Sequence, residues 1–175
     1  MKNCFLICIL SFSLFSYSTN AQTLSSNSGQ ININADFPFG KVQAQNDGAS
    51  AELDQTNGIL NITVFNKGFH FKPALKADQK KELSNIQQHS STSIKAQITN
   101  LKTVDFTKDG NYRAKVIGRF VYNGVASTFY VKGEIIIEHG IPTLSMQLDV
   151  FLTDHEVMDA DKSNRMEVDI LIRFE

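Results

Sequence analysis

Between about Ile31 and Phe174 the chain repeats short runs in which apolar and polar residues alternate, with one helix-like stretch among them. Leu144, Met146, Leu148 and Val150 are separated by Ser145, Gln147 and Asp149. Met166, Val168, Ile170, Ile172 and Phe174 repeat the arrangement near the C-terminus. Side chains two apart on a strand share a face, so each run builds a sheet with one dry and one wet side. Many such strands must close on themselves or meet a second sheet. The expectation is a mainly β, single antiparallel barrel with an apolar interior that is either packed solid or holds a ligand.

The alternation predicts strands at Gln30–Ala35, Lys41–Gln45, Ala49–Leu53, Ile59–Asn66, Ser93–Thr99, Thr103–Thr107, Tyr112–Tyr122, Ala126–Glu138, Thr143–Leu152 and Arg165–Phe174. Asn46-Asp47-Gly48, Thr56-Asn57-Gly58, Lys108-Asp109-Gly110-Asn111, Asn123-Gly124 and His139-Gly140-Ile141-Pro142 lie between them. Asn-Gly and Asp-Gly tolerate the positive φ of tight hairpins, so consecutive strands are expected to be antiparallel neighbours. Gly118 and Gly133 fall inside strands, where a missing side chain marks a bend, a bulge or a close approach.

Pro73–Gln88 has a different period. Leu75, Gln79, Leu83 and Ile86 lie along one helical face, with Lys76, Lys80, Lys81 and Gln87 elsewhere, and proline suits a helix's first turn. One short amphipathic helix is expected, either lidding a barrel mouth or covering a sheet edge.

The N-terminus reads as a secretory signal peptide, residues 1–21. Lys2 supplies a basic start, Cys4–Phe15 an apolar stretch short for a bilayer, and Ser16–Ala21 a small, polar tail with a cut expected after Ala21. The competing reading is an uncleaved anchor. Cys4 and Cys8 leave with the peptide, so no disulfide, thiol chemistry or lipid-modified cysteine is expected in residues 22–175. That remainder reads as one domain, a secreted or periplasmic protein with a flexible Ser- and Asn-rich leader at 22–30 and no integral membrane segment. The chain has 17 basic and 18 acidic residues; loss of Lys2 leaves about −2, which suggests neither nucleic acid nor an anionic membrane surface.

Chemistry-bearing motifs are few. No Gly-x-Ser-x-Gly elbow, phosphate loop, dinucleotide fingerprint or His-Glu-x-x-His occurs, so an enzyme is not expected. His70, His89, His139 and His155 form no locally spaced metal pair. Asp154, Glu156, Asp159, Asp161 and Glu167 invite a calcium reading, but a loop begun at Asp159 has Asn164 where glycine is needed and Ile170 where the bidentate glutamate is needed. A solvated loop balanced by Lys162 and Arg165 is expected instead. Asn61-Ile62-Thr63 matches a glycosylation acceptor but sits in mid-strand. Phe69 and Phe71 share a face opposite His70, a pattern that more often fills a core than binds a ligand. The lack of tryptophan and scarcity of tyrosine disfavour carbohydrate recognition.

Gly118-Arg119-Phe120-Val121-Tyr122-Asn123-Gly124 resembles the Gly-x-Leu-x-Ile-His-Gly hairpin of the YceI-like family of bacterial secreted proteins. Phe151-Leu152-Thr153-Asp154-His155-Glu156-Val157 resembles that family's later strand, and Val64–Leu75 its passage into a polar helix. The resemblance runs over about Ile31–Phe174. Asn123 stands where the family usually has His, Ala126-Ser127 where Thr-Lys is common, and His89–Ser93 where Tyr-Pro precedes the next strand. The family's Asp-Phe-Phe segment is missing, which leaves the ligand's identity open.

The resemblance implies a lipocalin-like barrel, periplasmic or extracellular, whose apolar tunnel binds a polyisoprenoid, a quinone tail or a similar lipid without chemistry. No cofactor is implied. Ile62, Val64, Phe120, Phe129, Leu144, Met146, Leu148, Val168 and Ile170 are the candidate lining residues. The alternative is a non-enzymatic structural or interaction barrel with a solid core that meets a partner through its helix or its acidic Asp154–Asp161 loop. Oligomeric state is open.

Overall fold

Each long alternating run forms a strand. The computed structural model describes residues 22–37, 40–72, 90–122, 125–151 and 165–175. Its strands are β1 (Thr23–Phe37), β2 (Gly40–Asp54), β3 (Ile59–Phe65), β4 (His70–Phe71), β5 (Ser91–Ile98), β6 (Gly110–Tyr122), β7 (Val125–Glu138), β8 (Ile141–Phe151) and β9 (Arg165–Arg173). Strands β1, β2, β3, β5, β6, β7, β8 and β9 pair antiparallel in that order, and β9 returns to β1, so eight strands close into a barrel. The two-residue β4 pairs with β2 at Ala44 and Gln45, beyond the end of β3. Among the described residues no helix is long and apolar enough to cross a membrane.

Three expectations are corrected. The segment 22–30 is not a flexible leader: β1 starts at Thr23, and Leu24 pairs with Leu53 and turns inward. Its Ser and Asn residues had masked the alternation. Asn46-Asp47-Gly48 is not a hairpin turn but a bulge within β2. The Asn46 side chain accepts the Gly48 N–H (2.9 Å) and donates to the Phe65 carbonyl (2.9 Å), which keeps the bulged strand tied to its neighbours. Thr103–Thr107 is not a strand. Leu101–Thr103 forms a 3₁₀ turn, and the Asp105 carboxylate accepts both the hydroxyl (2.6 Å) and the N–H (3.1 Å) of Thr107, a local closure that competes with extension. The expected helix at Pro73–Gln88, the Asn123-Gly124 turn, the Asp154–Asp161 loop, His89 and His155 lie outside the described residues, as does the expected signal peptide.

The turn at His139-Gly140 behaves as read. Both residues have positive φ, 53° and 76°, as a two-residue hairpin between right-twisted strands requires.

The two ends of the barrel differ. Near the turns at Thr56–Gly58 and His139–Gly140 the inward residues are large and sealed: Leu53, Leu60, Ile98, Val116, Ile137, Leu144, Ile172 and Phe174 are all 0–1% exposed. Leu101, Val104 and Phe106, from the connection between β5 and β6, pack against this core and close the floor. Asp109 fastens it, because its carboxylate accepts the Gly140 N–H (3.0 Å) and the His139 N–H (2.9 Å). At the opposite end several inward residues are smaller and slightly wetter, with Ala35, Ala44, Thr92 and Val150 at 6–7%.

The hydrogen bonds from Gly140 and then His139 hold the Asp109 carboxyl below the usual carboxylate range. Asp105 is lowered to about 2 by the Thr107 hydroxyl, then by Lys108 and the Thr107 N–H. A depressed carboxyl stabilises the fold above its unfolded pKa and loses that contribution as pH falls through its folded one. Asp109→Ala is therefore expected to lower Tm at pH 7, and the gap from wild type is expected to shrink as pH falls below about 4. Thermal melts by circular dichroism across pH 2–7 read this directly; a gap constant over that range contradicts the role given to Asp109.

Candidate functional site

Strands β7 and β8 pair from Glu138 opposite Ile141 as far as Gly133 opposite Met146, and no further. Beyond that point β7 remains paired to β6 through Val125, and β8 to β9 through Phe151, yet Val125–Lys132 and Gln147–Phe151 have no ladder between them. The barrel wall opens there. Gly133 stands at the divergence. An added Cβ would lie 2.6 Å from the Ser145 carbonyl oxygen, so glycine permits the last close approach before the strands part.

A cavity of about 270 Å³ occupies the opening, lined by Phe120, Ser127–Val131 and Gln147–Phe151. Residues pointing into the barrel, Phe120, Phe129, Val131, Leu148 and Val150, form its inner wall. The outward Thr128, Tyr130, Gln147, Asp149 and Phe151 form its outer rim, where Tyr130 is 59% and Phe151 49% exposed. Phe129 sits opposite Gly118 in the β6–β7 register, and a Cβ on Gly118 would meet the Phe129 ring at 2.5 Å and the Ala96 methyl at 2.7 Å. The ring therefore lies across the missing side chain, half-buried above the core. Glycine under an aromatic ring is a recurrent way to let a strand curve without leaving a void.

The rim's polar groups are held from β9. Gln147 donates to Asp169 (2.9 Å), and Arg165 meets Asp149 through Nε and Nη2, both at 2.9 Å. The Arg165–Asp149 pair raises the arginine pKa, so the guanidinium stays charged beside the rim. A second, polar concavity of about 540 Å³ lies among Asn34, Asp36, Lys41, Gln43, Arg165 and Glu167 around β9, β1 and β2.

All nine candidate lining residues point inward. Ile62, Val64, Phe120, Leu144, Met146, Leu148, Val168 and Ile170 are buried, and Phe129 is partly so. Phe120, Phe129 and Leu148 are brought together at the cavity. Leu144, at 0%, belongs to the sealed half. Val131, Val150 and the outer rim escaped the sequence reading, because the opening depends on where two strands stop pairing. Gly133 within a predicted strand was the one available signal.

The buried polar residues among those described are Ser26, Asn46, Asn66 and Thr92. Asn66 and Thr92 bond to each other at 3.0 Å beside the break between β3 and β4. The described interior thus offers dispersion and water exclusion. Phe69 packs on the core while His70 is exposed, as their spacing implied.

No family model matches the chain, and no curated protein does. Solved structures do. A polyisoprenoid binding domain from Saccharophagus degradans implicated in plant cell wall breakdown aligns with a TM-score of 0.66 at 10% identity, over 89% of this chain and 98% of that one. BcnA of Burkholderia cenocepacia aligns with a TM-score of 0.59 at 10% identity, over 83% of this chain and 95% of its own. At such identity the likeness is one of fold, and the fold is the lipocalin-like barrel that the resemblance implied.

Gly118→Ala is expected to cost about 1–3 kcal/mol by overpacking, since the new methyl meets Phe129, Ala96 and the Lys95 carbonyl at 2.5–2.9 Å. Gly48→Ala, whose Cβ would find only the Asn46 side-chain oxygen at 3.7 Å, is the matched control and is expected to be much milder. Urea unfolding compares them; equal losses contradict the close packing of Phe129 on Gly118.

Proposed function

We propose that the chain is a secreted carrier related to the YceI-like proteins, periplasmic or extracellular, that holds a long apolar ligand in the open half of its barrel. The ligand class is a polyisoprenoid, a quinone tail or a similar lipid, and no reaction is performed on it. One observation carries this reading: the inward side chains are large and sealed at one end, and toward the other the β7–β8 ladder stops beside a cavity with an apolar inner wall and a polar rim. A barrel built only as a solid scaffold gains nothing from leaving β7 and β8 apart.

The chemistry suits the cargo. Each buried methylene is worth about 0.8 kcal/mol, so a short length of prenyl chain against Phe120, Leu148 and Val150 is held firmly. The polar rim of Thr128, Gln147 and Asp149 is placed to meet a head group. The cavity is close to the lower end of the usual range for ligand pockets, about 300–1,000 Å³. The Saccharophagus degradans neighbour, a polyisoprenoid binding domain of this fold, supports the ligand class. Secretion is supported by the basic and apolar start of the chain, and β1 begins at Thr23, so a cut after Ala21 leaves every described strand whole.

Native mass spectrometry of protein purified without detergent, with organic extraction of the same sample, is expected to reveal a stoichiometric prenyl or acyl lipid. Val150→Phe adds bulk to the cavity's inner wall and is expected to abolish that lipid at a stability cost of about 1–3 kcal/mol. Apo mass alone, after incubation with isoprenoid quinones and fatty acids, contradicts the carrier reading and favours the solid interaction barrel.

A further inference from the structure

The near-neutral net charge conceals a segregation that only the strand register reveals. On the outer face of β5, β6 and β7, Lys95 lies opposite Arg119, and Lys115 lies opposite Lys132. Between these two rows Ile117 lies opposite Tyr130, at 42% and 59% exposure. Four cations thus surround an exposed aliphatic–aromatic pair. By strand geometry the rows are about 14 Å apart and the strands span about 10 Å. All four cations are exposed, and among the described residues none takes part in an ion pair.

Like charges directly across a ladder destabilise a sheet. The opposite wall shows the usual remedy: Asp149 lies opposite Glu167, and Arg165 bridges both, at 2.9 and 3.1 Å. On the β5–β6–β7 face Glu134 lies one register step beyond Lys115 and Lys132, opposite Arg113, and among the described residues no acid bridges either like-charge pair. Tyr130 also belongs to the rim of the opening, so the cationic face and the mouth share β7.

We infer that the outer face of β5, β6 and β7 docks on an anionic phospholipid bilayer, with Ile117 and Tyr130 entering the headgroup layer and the β7–β8 opening brought to the lipid surface. Charge complementarity and exposed apolar side chains together select a bilayer over a polyanion, which the cations alone would serve. Each such cation near an anionic surface is worth about fivefold in partition, and tyrosine favours the interface. The role of the opening in this docking rests on the carrier reading; the docking itself does not.

Cosedimentation with phosphatidylcholine vesicles, with and without 30% phosphatidylglycerol, tests it. Wild type is expected to bind the anionic vesicles and to be released by about 0.5 M salt. Lys95→Glu with Lys132→Glu turns both like-charge pairs into opposite-charge pairs. Tm is therefore expected to stay level or rise while vesicle binding falls at least tenfold. Lys41→Glu with Arg173→Glu makes the same change in net charge on the other wall and is expected to leave binding within twofold. Equal binding to neutral vesicles, equal losses in the two variants, or binding to heparin or an oligonucleotide without binding to vesicles each overturn the inference. Lipid extraction from the Lys95→Glu, Lys132→Glu variant separates the two proposals, because neither residue lines the cavity and bound ligand is expected to remain.

Discussion

Closure of β1 against both β2 and β9 is the constraint on which the rest depends. A sheet with free edges leaves unpaired N–H and C=O groups at both margins and gives inward side chains no shared interior. Once β1 joins the last strand to the second, every inward position faces the same axis, and alternation in sequence becomes the difference between core and surface. Leu24, Leu53 and Phe174, far apart in sequence, are buried in that interior because of this one pairing.

Among the described strands the β7–β8 ladder stops short, and the candidate site is there. The β7–β8 ladder could have run to the end of both strands, since each continues to pair on its other side. It stops at Gly133 and Met146. Past that point β7 and β8 make no ladder with each other among the described residues. The structure thus concentrates its regular packing at the floor, under Asp109 and Phe174, and its irregularity at the mouth.

The fold was largely legible because alternation is strong wherever one face of a strand is buried. Leu144 to Val150 and Met166 to Phe174 could be read in no other period, and Asn57-Gly58 and His139-Gly140 marked their turns by backbone demand. Three segments misled for local physical reasons. The Ser- and Asn-rich first half of β1 has few apolar inward residues to reveal it, Asn46 uses its side chain to hold a bulge where its neighbours suggested a turn, and Asp105 folds back on Thr107 where Val104 and Phe106 alternated like a strand. The candidate lining residues were found as inward positions. Their division between the floor and the mouth was not legible, because it depends on which strands part, a property of register and not of composition. The segregation of Lys95, Arg119, Lys115 and Lys132 was hidden for the same reason: these residues become neighbours only across the ladder.

The central claim is that one half of the interior is a ligand site and the other a fixed core. Methyl-resolved NMR, recorded while a solubilised prenyl alcohol is titrated into delipidated protein, tests it most directly. The account predicts shifts and ligand contacts at Ile94, Met146, Leu148 and Val150, with Leu53, Leu60, Ile98 and Ile137 unchanged. Shifts confined to exposed residues such as Ile59 and Leu171, or no saturable change at any interior methyl, would contradict it.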